Sequence, residues 1–301
     1  MIYTVTLNPA IDYVVHLRGA LHPGALNRNT YEEIQYGGKG INVSNVLRTL
    51  GMDTVALGFV AGFTGEGLEK GVQAMGLTTR FLHLSEGMTR INVKVKAGEE
   101  TEINGMGPVI REGDLERLYE QLEGLQPGDV LVLSGSIPGC LPGDTYERIL
   151  AKLAGRQILT AVDAAGELLV NCLKYSPFLI KPNHLELGEI FGQVPKTEEE
   201  ITEYARRLQQ MGARNVLVSM AGEGALLLDA HGAVRRIHCP KGEVVNSVGA
   251  GDSMVAGFLA GYLQTGDYSY ALKLGSAAGS ATAFSLGLAD RESIDELLKQ
   301  M

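Results

Sequence analysis

The chain is poor in several features, and each shortage narrows what it can be. Its three cysteines, Cys140, Cys172 and Cys239, are widely spaced and form no Cys-x-x-Cys pair. That argues against structural zinc or a disulfide framework and leads us to expect a reducing compartment. No apolar run approaches the roughly 18 residues of a membrane span, and the amino terminus has no basic region followed by a long apolar stretch. The expectation is a cytoplasmic chain without a membrane partner. Basic tracts are missing as well, and the net charge is −9, so nothing invites nucleic acid. His16, His22, His83, His184, His231 and His238 show no metal-ligand spacing. There is no internal repeat, low-complexity tract or interdomain linker.

The composition that remains, 45% hydrophobic and 20% charged, is that of a folded domain with room for a large core. Strand-like runs fall at 2–7, 54–60, 79–84, 130–134, 158–162, 178–181 and 216–220. Amphipathic segments lie between them near 41–50, 65–75, 112–123, 143–153, 165–173, 184–191 and 198–211. Alternation of this kind implies an α/β fold with a mostly parallel sheet covered on both faces, and such sheets bind ligands at the carboxyl ends of their strands.

Two stretches break the rhythm. Residues 12–36 and 88–106 lack helical periodicity, and Thr89-Arg90-Ile91-Asn92-Val93-Lys94-Val95-Lys96 alternates with period 2. Together they predict a small separate sheet, a lid over the main domain. An exposed face on that lid would favour a homodimer through it.

Asn246-Ser247-Val248-Gly249-Ala250-Gly251-Asp252-Ser253 precedes an apolar helical pattern at Met254, Val255, Phe258, Leu259 and Tyr262. Small residues at a helix start present backbone N–H groups to an anion, most naturally a phosphate. Asp252 beside that cradle is a candidate base, a pairing that suits phosphoryl transfer to a hydroxyl. Gly37-Gly38-Lys39-Gly40-Ile41-Asn42 opens another helix. It is either a glycine-rich connection or a second ligand loop, and Lys39, expected to be unpaired, tips it toward phosphate contact.

Other motifs carry less. Asp12 follows the turn after the first strand, where a capping role is the plainer explanation. Arg90, Asn92 and Lys94 share one face of the lid strand; that face is either solvated or turned to a phosphate, which arginine grips bidentately. Ser134-Gly135-Ser136-Ile137-Pro138-Gly139 is a tight turn or a means of presenting Ser136 to a ligand. Lys181-Pro182-Asn183-His184-Leu185-Glu186 fits a capping box, and equally an outer-sphere Mg²⁺ carboxylate at Glu186. Ser219-Met220-Ala221-Gly222-Glu223-Gly224-Ala225 reads as a glycine turn between two strands, fit for a nucleotide or simply a hairpin.

In this order the motifs at 37–42, 134–139, 183–186, 219–224 and 249–252 resemble the ribokinase-like sugar kinases over essentially the whole chain, Gly-Ala-Gly-Asp being the most specific. The resemblance implies one ribokinase-like three-layer α/β domain over 1–301 with a small β-sheet lid inserted from about 12–36 and 88–106. It implies an enzyme using ATP and Mg²⁺. Residues 6–12, the lysine of Gly-Gly-Lys-Gly and residues 89–94 point to members whose sugar already carries a phosphate. Fructose 1-phosphate is the expected acceptor and fructose 1,6-bisphosphate the product. Tagatose 6-phosphate is the alternative sugar, and a sugar-phosphate-binding regulator without catalysis the alternative class.

Position by position, the resemblance makes Asp252 the base and Gly249, Ala250 and Gly251 the backbone anion hole. Asp12, Gly38 and Asn42 would hold sugar hydroxyls, with Asn92 and Ser136 also on the substrate side. Lys39 and Arg90 would hold the existing phosphate. Lys181, Asn183, Ser219, Gly222, Gly224, Ser247, Gly249 and Gly251 would line the ATP site. Glu186 would reach Mg²⁺ through water. Ser247 stands where many members carry threonine but keeps the hydroxyl.

Overall fold

Apolar strands separated by amphipathic helices lie side by side, as their alternating order requires. The computed structural model describes residues 1–301. Its strands are β1 (Ile2–Thr6), β2 (Ala10–Leu17), β3 (Asn29–Gly37), β4 (Thr54–Ala61), β5 (Thr78–Thr79), β6 (Leu82–Leu84), β7 (Arg90–Ala97), β8 (Glu99–Ile103), β9 (Val130–Ser134), β10 (Leu159–Asp163), β11 (Leu179–Ile180), β12 (Asn215–Ser219), β13 (Ala225–Leu228) and β14 (Val234–Ile237). The helices are α1 (Lys39–Thr49), α2 (Gly62–Ala74), α3 (Glu112–Glu123), α4 (Thr145–Leu153), α5 (Gly166–Cys172), α6 (His184–Phe191), α7 (Glu198–Gln210), α8 (Ala250–Thr265), α9 (Tyr268–Ala283) and α10 (Arg291–Lys299).

The large sheet runs β14-β13-β12-β11-β10-β9-β1-β4-β5, with β6 also on β4. It is parallel except at the β12–β13 and β13–β14 pairs. Successive residues point to opposite faces: Leu131 and Leu133 pack with Leu118, Ile149 and Leu208, while Val130 and Val132 pack with Leu47, Phe258 and Ala277. The result is helix, sheet, helix, the expected three-layer α/β arrangement. No helix is long and apolar enough to cross a membrane.

A second, four-stranded sheet has the order β3-β2-β7-β8 and takes in the two stretches that lacked helical period. Asp12 therefore lies within β2 rather than at a turn. The segment expected as one strand at 79–84 is two short pieces. The ladder on β4 lapses opposite Leu57 and Gly58. Gly58 has φ +148°, and a Cβ there would stand 2.0 Å from the Thr6 carbonyl of β1.

Helices α8 and α9 approach closely because glycines face each other's backbone. A Cβ on Gly257 would lie 2.6 Å from the Leu274 carbonyl, and one on Gly279 3.0 Å from that of Ala250. Ser253 and Thr282 hydroxyls bond at 2.8 Å within the same seam. This fixes where α8 begins, and with it the amides of its first turn.

Candidate active site

At the carboxyl ends of the parallel strands, two adjoining cavities of about 430 and 370 Å³ share Asn183, Ser219 and Gly251 in their walls. The first is strongly polar. It brings together Asp12, Gly38, Lys39, Asn42, Arg90, Asn92, Lys181, Glu186, Gly249 and Asp252. The second contains Gly222, Gly224, Ser247 and Ala250 together with Met254 and Phe284. Ser136 lines neither; it is exposed, beyond the end of β9.

The loop before α8 is held from outside the cleft. Val245 and Asn246 N–H both donate to the Ala283 carbonyl, and the Asn246 side chain donates to Leu286 and accepts from Val248 N–H. Gly249 then caps α8 in the left-handed region at φ +80°. Ala250 N–H turns back onto Ser247 at 3.2 Å, so its amide is engaged, unlike the free donor expected of it. The N–H groups of Gly249, Gly251 and Asp252 have no protein acceptor, and they sit at the positive end of a 16-residue helix. A Cβ on Gly251 would come within 3.1 Å of Lys181 Nζ, so glycine there leaves the lysine its place.

Asp252 is buried, and Asn42 Nδ2 donates to its Oδ2 at 2.8 Å. Burial chiefly, with the charge of Asp163, pushes its pKa up to about 6; the Asn42 bond and the Lys39 and Lys181 charges restrain the rise. A carboxylate so placed changes protonation state close to neutral pH, a property that suits a general base.

Lys39 is not the unpaired cation expected from the sequence. Its Nζ stands 3.4 Å from Asp163 Oδ2, while Lys181 Nζ stands 3.2 Å from Asp163 Oδ1. Partial burial disfavours the Lys39 ammonium, but Asp163, Asp252 and Glu186 outweigh it and raise its pKa. Burial opposes the charge on Asp163 too, yet the two lysines hold its pKa below the usual carboxylate range. Asp163 was not among the residues singled out from the sequence. The rule that drew attention to Ser134 and Asp12, a polar residue closing an apolar strand, applies to it equally.

The glycines of the 37–40 loop serve packing as well as access. A Cβ on Gly40 would lie 2.6 Å from Thr6 Oγ1 and 2.8 Å from the Val5 carbonyl, so α1 rests directly on β1. Ile41 N–H donates to Thr6 Oγ1 at 3.1 Å.

On the small sheet, Asn92 Nδ2 donates to Asp12 Oδ1 at 2.7 Å, and Lys94 Nζ lies 3.7 Å from Asp12 Oδ2. The shared face predicted by period 2 is thus turned toward Asp12. Asn92 Oδ1 also accepts from Gly105 N–H, which makes Asn92 a support for Asp12. Arg90 donates from Nε to the Asn8 carbonyl at 3.1 Å, and burial lowers its pKa against the charge of Asp12.

Asn183 and Glu186 do form the capping box, with Asn183 N–H donating to Glu186 Oε2 at 2.8 Å. Nowhere do three or more acidic, histidine or cysteine side chains gather as a metal cage. Mg²⁺ is commonly held by one or two carboxylates with waters and substrate phosphates, and Glu186, in the wall of the polar cavity and bonded to the shared residue Asn183, fits that use. The second cavity fits a nucleoside: its walls are largely apolar, and a Cβ on Gly222 would meet no protein atom, which leaves bare backbone.

Residues 5–294 match the pfkB family of carbohydrate kinases. The chain is 48% identical over 301 residues to 1-phosphofructokinase of Bacillus subtilis, covering 100% of this chain and 98% of that one. It is 38% identical over 302 residues to D-tagatose-1-phosphate kinase of Bacillus licheniformis, covering 100% and 98%. Phosphofructokinase-2 from Escherichia coli, solved in complex with substrates and products, superposes with a TM-score of 0.93 at 26% identity over 99% and 98% of the two chains. The same enzyme has been solved in a tetrameric inhibited form, at a TM-score of 0.91 and 27% identity over 99% and 98%. Arabidopsis thaliana ribokinase complexed with ribose and ATP shares the fold, with a TM-score of 0.79 at 20% identity over 99% and 98%.

Proposed function

The chain belongs to the pfkB family of carbohydrate kinases, and on that footing we propose that it transfers the γ-phosphoryl group of ATP to fructose 1-phosphate, giving fructose 1,6-bisphosphate. The observation that carries the reading is one cavity with two ends. At one, Asp252 lies buried beside unpaired amides of Gly249 and Gly251; at the other, Arg90 stands with Asp12 on the small sheet.

Asp12, Gly38 and Asn42 orient the sugar, with Asn92 and Lys94 holding Asp12 in place. Arg90 holds the phosphate already on carbon 1, which leaves the hydroxyl on carbon 6 to face Asp252. The carboxylates acting on Lys39 are Asp163, Asp252 and Glu186, whereas the one acting on Arg90 is Asp12. Lys39 therefore serves the phosphoryl group in transit rather than the distal phosphate, a change from the role the sequence suggested.

Asp252 takes the hydroxyl proton as that oxygen bonds to the γ-phosphorus and the bond to the ADP oxygen breaks. Phosphoryl transfer asks the protein mainly for alignment and charge neutralisation. The amides of Gly249, Gly251 and Asp252 supply fixed donors where negative charge gathers. ATP lies along the second cavity, against Ser219, Gly222, Gly224 and Ser247. Mg²⁺, when bound, neutralises the outgoing phosphates, and Glu186 is the residue that would hold it.

Closure of the small sheet as a lid would keep water from competing with the sugar hydroxyl. A row Ile34, Tyr13, Val93, Ile103 crosses all four of its strands in register, and its ends are 56% and 63% exposed. That row supports a homodimer joined through the lid.

A second reading has one observation in its favour. The tagatose enzyme among the relatives is named for the 1-phosphate, so the rival acceptor becomes tagatose 1-phosphate rather than the 6-phosphate. The two ketoses differ only at carbon 4. The test is ADP release with fructose 1-phosphate, tagatose 1-phosphate, tagatose 6-phosphate, fructose 6-phosphate and unphosphorylated fructose. The highest kcat/KM should fall on fructose 1-phosphate. No turnover with any of them would favour the non-catalytic regulator.

A further inference from the structure

Asp163 takes no part in the reaction as described, yet it stands at the centre of the cleft's charges. It closes β10 and is 3% exposed. Its two carboxylate oxygens serve one lysine each, Lys181 at 3.2 Å and Lys39 at 3.4 Å. The lysines come from different structural units, Lys39 opening α1 and Lys181 following β11, and both line the polar cavity. The mount is rigid, since the Asp163 carbonyl accepts from Gly135 N–H at 3.0 Å and the Gly135 carbonyl accepts from the buried Tyr146 hydroxyl at 3.1 Å.

We propose that Asp163 is a positioning residue for phosphoryl transfer, one whose two oxygens hold Lys39 and Lys181 as a spaced pair flanking the group in transit. The proposal rests on the kinase reading of the site. A lysine is a point charge on a flexible four-carbon stem, and a buried one needs a counter-charge. Lys181 has a side chain only 7% exposed. Without Asp163 the neighbouring carboxylate that feels both lysines is Asp252. Pairing there would occupy the lone pair that must accept the sugar proton. Asp163 therefore does two things: it spaces the cations, and it keeps them off the base.

The charged groups facing Asp252 are Asp163 from β10, Lys39 from α1 and Lys181 after β11, with the neutral Asn42 amide bonded to it. Glu186 of α6 acts on Lys39, and Tyr146 of α4 feels Asp163. Removing the Asp163 charge leaves the two lysines unopposed, so Asp252 should ionise at lower pH and be a weaker base.

Two variants separate position from charge, each assayed for kcat, both KM values, the pH profile and thermal stability. Asp163→Asn should lower kcat about 100-fold, leave KM for MgATP within about threefold or lower, and move the acid limb of kcat/KM to lower pH. Asp163→Glu keeps the charge on a longer stem; its acid limb should stay in place while kcat still falls about tenfold or more. Should Asp163→Asn not fold, the glutamate variant decides alone. Wild-type kcat in either variant overturns the proposal. Equal rises in both KM values with an unmoved acid limb in Asp163→Asn also overturn it, since that is a purely structural loss. A wild-type protein inactive on every sugar phosphate would overturn the kinase reading itself, and this inference with it.

Discussion

Asn42 and Asp252 are 210 residues apart in the chain and joined by a 2.8 Å hydrogen bond from Asn42 Nδ2 to Asp252 Oδ2. Oδ1 of Asp252 has no protein donor and is free to take a proton. The bond links α1, which follows the small sheet, to the first turn of α8, with its unpaired amides. In the proposed reaction a residue on the sugar side thereby sets the orientation of the base.

The acid limb of activity follows from the surroundings of Asp252. With its pKa raised to about 6, the base is protonated below that value, and kcat/KM should fall about tenfold per pH unit beneath it. A rise from 3.8 to about 6 means that the fold favours the protonated form, by roughly 3 kcal/mol at most. That stabilisation is complete below the unfolded pKa and disappears as pH rises through about 6. Scanning calorimetry should therefore find Asp252→Asn melting a few degrees above wild type at pH 7.5, the gap closing near pH 4.

Arg90→Ala should raise KM for the sugar phosphate about 10- to 100-fold, the worth of a charged hydrogen bond, and leave KM for ATP within about threefold. Initial-rate kinetics at fixed saturating co-substrate give both numbers. An effect on ATP alone would reverse the two ends of the cavity.

Two glycines separate packing from access. Gly40→Ala drives a methyl group against Thr6 Oγ1 and the Val5 carbonyl and should cost about 1–3 kcal/mol, with loss of activity as Lys39 and Asn42 shift. Gly67→Ala, in α2 with nothing within 4 Å of a new Cβ, should be neutral or stabilising by up to about 1 kcal/mol. Denaturant melts of the pair check both signs.

Ile34→Glu with Ile103→Glu places charge at both ends of the apolar row. If the lid joins two copies, sedimentation should show a dimer for the wild type and a monomer for the variant. A dimer that survives both substitutions would move the interface elsewhere.

The periodic segments were legible in the sequence because local chemistry decides them. The helix expected at 112–123 and the strand at 130–134 are found with those ends. The cleft was legible through its glycines and its strand-end motifs. What the sequence does not reveal depends on partners distant in the chain. Lys39 looks unpaired in the sequence because Asp163 lies 124 residues further on. Asp163 falls just outside the strand expected at 158–162, which in the structure continues one residue to the sheet's carboxyl edge. Asn92, expected on the substrate side, lines the cavity, and its amide also holds Asp12 across a parallel pairing that periodicity alone does not reveal. Ser136 followed a strand end as the rule asks, but the turn carries it out of the cavity.

The most direct test of the account is Asp252→Asn, assayed for ADP release at saturating ATP and, separately, for fructose 1-phosphate binding by calorimetry. The amide keeps the shape of the side chain and removes the proton acceptor. Turnover should fall by about 10³-fold or more while the sugar phosphate Kd stays within about threefold. Turnover near the wild-type level in that variant would contradict the assignment of Asp252 as the base.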